Sequence, residues 1–239
     1  MLGTGPSMLV DFRASEDSRT DPPIVGICTK YITSLFLRHL KAQQIEQKRQ
    51  TIALLAGAAS LQSVGGEFFE LIAHDYFTSR GNQVVATPLD PLARASLKLD
   101  RELNVVCFVD ERHAVVHITK EGSAGAYFIP VQPNFPSVDA FIITTTDVIL
   151  FQMTVAKDHP ISTAGLDRVR ESLYAVPIEV DSLTWRMVFV SPDKRGQGVN
   201  TPQRFTEGNQ EAKKRKKGLR SEEWSDLLQY ALKIQMDDI

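Results

Sequence analysis

Apolar residues follow two different spacings along this chain. Between residues 30 and 62, Ile32, Leu35, Phe36 and Leu40, then Ile52, Leu54 and Leu55, recur at helical spacing, with Gln, Lys and Arg between the clusters. This predicts two helices or one long bent one. Gly65 and Gly66 interrupt the pattern. The run EFFELIAHDYFTSR then sets Phe69, Ile72, Ala73 and Tyr76 on one face and stops at Gly81, which predicts a further helix bearing Glu67, Glu70 and His74. Beyond it the spacing shortens. QVVATPL, NVVCFV, AVVHIT, AYFIPV, VDAFII and VILFQMTV are runs of β-forming residues divided by Asp, Pro, Gly and charged clusters, and they predict a twisted, mostly antiparallel sheet. Helical spacing returns over residues 162–174 with Ala164, Leu166, Val169 and Leu173, and WRMVFVSP reads as one more strand. SEEWSDLLQYALKIQ predicts a closing amphipathic helix that docks through Trp224, Leu227, Leu228, Ala231 and Leu232.

These elements divide the chain into a polar, mobile lead-in at residues 1–24, one domain at 25–192, a polar basic loop at 193–220 and a docking helix at 221–239. Hydrophobic residues make up 43% of the 239, enough for one substantial globular core. The 27 basic and 29 acidic residues nearly cancel, so a nucleic-acid surface would have to be a local patch. Cys28 and Cys107 lie far apart, and nothing in their spacing requires an oxidising compartment. The longest apolar run, IALLAGAASL, is too short to span a bilayer, and the first residues lack the pattern of a signal peptide. The reading is therefore an intracellular chain with no membrane partner.

The densest chemistry lies at residues 134–161. A strand presents residues i and i+2 on one face, so Gln152 and Thr154 point together toward the place where Asp139 projects from the neighbouring strand. Asp139 follows Val138 and precedes Ala-Phe-Ile-Ile, and a carboxylate in such a run is costly to bury unless it is paired or bound to metal. Gln152 and Thr154 are equally suited to hold the hairpin as hydrogen-bond partners. His159, before Pro160, either contacts a phosphate and assists a water or caps the helix starting near Ser162. Glu70 and Glu67, on their amphipathic helix, read from the residues alone as its solvated flank. Neither a phosphate-binding Gly loop with its Lys nor a Gly-x-Ser-x-Gly elbow occurs, which removes support for nucleotide hydrolysis and serine-hydrolase chemistry.

GGEFFELIAHDYF, NFPSVDAFI, LFQMTVAKDHPIS and MVFVSP, closing with WSDLLQYALKI, resemble in that order the C-terminal module of Crinkler-type effectors and the related retrotransposon hot spot proteins. The resemblance spans residues 65 to about 234, and LFQMTVAKDHPI is its most specific part. It implies an α/β, restriction-endonuclease-like sandwich of the PD-(D/E)xK type, with a mixed, mostly antiparallel central sheet flanked by helices. By position, Glu70 becomes the helix acid, Asp139 the strand acid and Gln152 the residue in the second acid's place, all three holding Mg²⁺ or Mn²⁺. Thr154 occupies the position where this fold carries a Lys, and a hydroxyl cannot supply an ammonium's charge. Lys157, three residues further on, either swings back to replace it or stays solvated.

The resemblance implies a secreted virulence effector that acts in the nucleus, with DNA as its partner and Mg-dependent phosphodiester cleavage as its activity. Its alternative is an inactive descendant that binds chromatin or a host protein. Lys213, Lys214, Arg215, Lys216 and Lys217 form a cation run in a polar segment, suited to an importin groove and hence to nuclear entry. An ATPase module, which longer relatives carry, is a further partner, and 239 residues leave no room for one.

Overall fold

Short apolar strands, the central ones buried on both faces, carry much of the chain into one mixed sheet. The computed structural model describes residues 10–13, 24–27, 62–93, 95–101, 103–108, 126–130, 135–174, 179–193, 198–206 and 223–235. They fall into two compact units, residues 1–72 with 235–239, and residues 73–234. In the first, β1 (Val10–Arg13) pairs antiparallel with β2 (Ile24–Ile27), inside and just beyond the stretch predicted as lead-in. Helix α1 (Gln62–Thr78) starts in the first unit and ends in the second. It runs straight through Gly65 and Gly66. Each Gly costs a helix only about 1 kcal/mol, less than what burial of Phe68, Phe69 and Ile72 just downstream returns.

The large sheet of the second unit has eight described strands: β3 (Val84–Pro88), β4 (Leu97–Leu99), β5 (Asn104–Phe108), β6 (Ala126–Pro130), β7 (Ala140–Ile143), β8 (Asp147–Met153), β10 (Thr184–Pro192) and β12 (Leu228–Ile234). Their order across the sheet is β4-β3-β12-β10-β8-β7-β6-β5. Four neighbour pairs are antiparallel, and β12–β10, β10–β8 and β6–β5 are parallel. The fold class is thus α/β with a mixed, mostly antiparallel sheet. β9 (Ile161–Ser162) and β11 (Phe205–Thr206) form a separate parallel pair beside it.

Helix α2 (Thr163–Tyr174) carries the chain from β8 to β10, a crossover that makes the two strands parallel. Its Leu166, Val169 and Leu173 are fully buried and join one core with Phe141, Ile143, Val148, Leu150, Met187 and Phe189. On the other face, Phe77 of α1 meets Phe151 at 4.8 Å and Tyr127 at 5.8 Å between ring centroids. Among the described residues each face carries one helix, a thinner cover than the helix-flanked sandwich predicted. Ahead of α2, Ser137 adopts φ 55° and its hydroxyl accepts the Ser162 N–H at 2.7 Å, which ties the loop before β7 to the helix entrance.

Most strand predictions coincide with β3, β5, β6, β7, β8 and β10. The closing helix does not form. Of its described residues only Glu223 is helical, and residues 228–234 are β12, paired along its whole length with β10. Tyr230, Leu232 and Ile234 are buried in alternation with Gln229, Ala231 and Lys233, so the strand's period wins once β10 offers a row of backbone partners. Within the stretch predicted as a loose loop, Val199 and Gln203 are buried. The helices expected over residues 30–62 lie almost wholly outside the described residues, as do the run AVVHIT and the basic run at 213–217.

Candidate functional site at the carboxyl ends of the parallel strands

Asp139 stands one residue before β7. Because Ala140 pairs with Phe151, Asp139 falls level with Gln152. Its N–H donates to the Phe151 carbonyl at 2.9 Å. Its Oδ2 accepts the Met153 N–H at 2.6 Å and the Gln152 Nε2–H at 3.0 Å. The predicted meeting of Asp139 and Gln152 across one hairpin is therefore present. The carboxylate fixes the Gln152 amide with its nitrogen inward, and this leaves Gln152 Oε1 buried with no hydrogen-bond partner.

Thr154 follows β8, yet its N–H still donates to the Val190 carbonyl at 2.9 Å, so it continues the parallel ladder. Its Oγ1 accepts the Ala156 N–H at 3.0 Å and lies 3.3 Å from His159 Nδ1. The His159 N–H donates to Gln203 Oε1 at 2.6 Å. Gln203 and Gln229 are joined twice: the Gln203 N–H donates to Gln229 Oε1 at 2.7 Å, and Gln229 Nε2 donates to the Gln203 carbonyl at 3.0 Å. The chain Thr154–His159–Gln203–Gln229 thus ties the end of β8 to the loop before β11 and to β12. Burial lowers the His159 pKa, against a smaller rise from Asp158. The ring is accordingly neutral at pH 7 and able to accept a proton.

Polar side chains gather here out of proportion. The buried polar residues described are Gln152, Thr154, Thr163, Ser172, Ser191 and Gln203, and four of them belong to this end of the sheet. Ser191 is level with Lys233 in the β10–β12 register and, one step past the Val190–Met153 pair, with Thr154. Both Ser191 and Lys233 escape the sequence reading, for one reason. Gln229 and Lys233 share a face in either reading, but only as a strand paired with WRMVFVS does LQYALKI bring Lys233 level with Ser191.

The remaining candidates are placed differently. Glu70 is half-buried on the part of α1 that belongs to the first unit, where with burial, the larger cause, it raises the pKa of Glu67. Lys157 is exposed on the loop after β8. Lys213 to Lys217 lie outside the described residues. Among the described residues, no three of His, Cys, Asp or Glu come together as a metal-binding group. What the hairpin offers a cation is one carboxylate and one amide carbonyl. These are hard oxygens suited to Mg²⁺, and the unpartnered Gln152 Oε1 fits such a ligand once the amide is turned over.

Comparison of the chain with protein-family models, curated proteins and solved structures gives no match. No helix among the described residues is long and apolar enough to cross a membrane.

Proposed function

We propose that this is a Crinkler-like nuclear protein whose restriction-endonuclease-like domain binds DNA and cleaves its backbone with Mg²⁺, for which Mn²⁺ can substitute. The observation that carries the reading is the juxtaposition of the Asp139 carboxylate with the buried amide of Gln152 on the adjacent strand. Asp139 and the Gln152 carbonyl would hold the cation. The bound cation supplies polarisation of the scissile phosphate and acidification of a water. His159, neutral through burial and 3.3 Å from the Thr154 hydroxyl, would take up the water's proton in this reading. The basic run at 213–217 serves nuclear entry through importin in the same proposal, and secretion, virulence and an ATPase or host-protein partner belong to it by resemblance alone.

A plasmid-nicking assay in Mg²⁺ or Mn²⁺ tests the reading, with Asp139→Asn chosen because it keeps an oxygen for the Met153 N–H while removing the charge. Metal-assisted stabilisation is worth several kcal/mol, so nicking should fall roughly a hundredfold or more. Nicking that survives the substitution overturns the site. A second reading, a non-cleaving module that binds chromatin or protein, draws on Thr154, the hydroxyl standing where the fold would carry a Lys. Its signature is DNA retention without nicking by the wild-type chain.

A further inference from the structure

β8, β10 and β12 run parallel and in register, so Thr154, Ser191 and Lys233 form one row across their carboxyl ends. All three lie on the face that carries Gln152 and α2, since residues two apart on a strand share a face. The carboxyl ends of parallel strands are where open α/β sheets receive their ligands.

One observation within this row points to a ligand, and a second brings Lys233 to the same place. Ser191 is fully buried, and its Oγ, like Gln152 Oε1, has no hydrogen-bond partner. A buried polar atom left without a partner costs about 1–3 kcal/mol, and such sites are expected to be completed by something outside the chain. Gly198 locates the Lys233 ammonium beside that hydroxyl. Its backbone takes φ 72° and lies so close that an added Cβ would strike the Ser191 hydroxyl and stand 2.7 Å from Lys233 Nζ. The Lys233 ammonium therefore bends over Ser191 instead of extending away from the sheet. Burial lowers the Lys233 pKa, and Asp193 nearby opposes that shift.

We propose that Lys233, with the Ser191 hydroxyl, binds a phosphate oxygen of the nucleic-acid backbone, and so supplies from β12 the positive charge that Thr154 lacks. An ammonium offers three donors and a point charge, and Ser191 Oγ offers a fourth donor to the same anion. The assignment rests on the nuclease-like reading for the identity of the phosphate's owner. The row of residues stands without it.

The test follows Lys233 directly. In the full-length protein carrying ¹³C-dimethylated lysines, the Lys233 resonance is identified by its loss in Lys233→Met, and inorganic phosphate is titrated. The Lys233 resonance should move in a saturable way while other lysines move little, and Ser191→Ala should weaken the apparent phosphate affinity severalfold. In the nicking assay, Lys233→Met should lower the rate roughly a hundredfold, as removal of an electrostatic donor does, and Lys233→Arg should recover part of it. A Lys233 signal that does not respond, or that moves no more than every other lysine, overturns the inference even if wild-type protein nicks DNA. A responsive Lys233 in a protein that neither binds nor nicks DNA leaves the phosphate site standing and removes the nuclease reading alone.

Discussion

Asp139 has a role in the fold whatever its chemistry, because its Oδ2 accepts one N–H from the β8 backbone and one from Gln152. Asp139→Ala leaves both donors in a largely buried setting, and each loss costs about 1–3 kcal/mol, so chemical denaturation should show a loss of roughly 2–6 kcal/mol. Asp139→Asn keeps one acceptor and should lose clearly less. Equal losses for the two variants would show that these bonds contribute little. This residue was legible in the sequence because a lone acid between apolar neighbours has few explanations, and Gln152 and Thr154 followed from strand periodicity. Ser191 and Lys233 were not, since a Ser closing an apolar strand and a Lys in an amphipathic segment carry no chemical signal until their neighbours across the sheet are known.

The segment LQYALKI shows why one element was misassigned while six strands were placed. Its apolar residues satisfy both a helical and an alternating period over so short a length, and the decision comes from pairing with β10, which is more than thirty residues away in sequence. Helix α2 was easier, having twelve residues with a clear stripe. Its Gly165 adds a constraint that no pattern reveals: a Cβ there would collide with the Pro136 carbonyl oxygen and lie 2.7 Å from its carbon. Gly165→Ala gains about 1 kcal/mol of helix propensity yet forces the helix off the loop that leads to Asp139, at a cost of about 1–3 kcal/mol. Denaturation should therefore show net destabilisation, accompanied by reduced nicking. A more stable Gly165→Ala would mean that this loop yields freely.

Across the whole second unit, the strand latest in the chain lies between β10 and β3, well inside the sheet order. The β3–β4 pair joins the remaining strands through β12, at Pro88 with Tyr230 and Thr87 with Ala231. A chain stopped after Leu227 should consequently lose its cooperative urea transition, instead of showing a slightly weakened one. A sharp transition in that truncated chain would mean that the sheet closes without β12. The mixed α/β class could be inferred from the alternation of periods, but this order could not, because a strand's place in a sheet depends on partners that sequence spacing does not encode. The order also bears on how the protein is made. A two-stranded hairpin is marginal by itself, and β3 and β4 leave the ribosome well over a hundred residues before β12 does. At roughly 5–20 residues per second, that interval is on the order of ten seconds, during which one strand edge of every nascent chain remains open to chaperones or to a neighbouring polysome product.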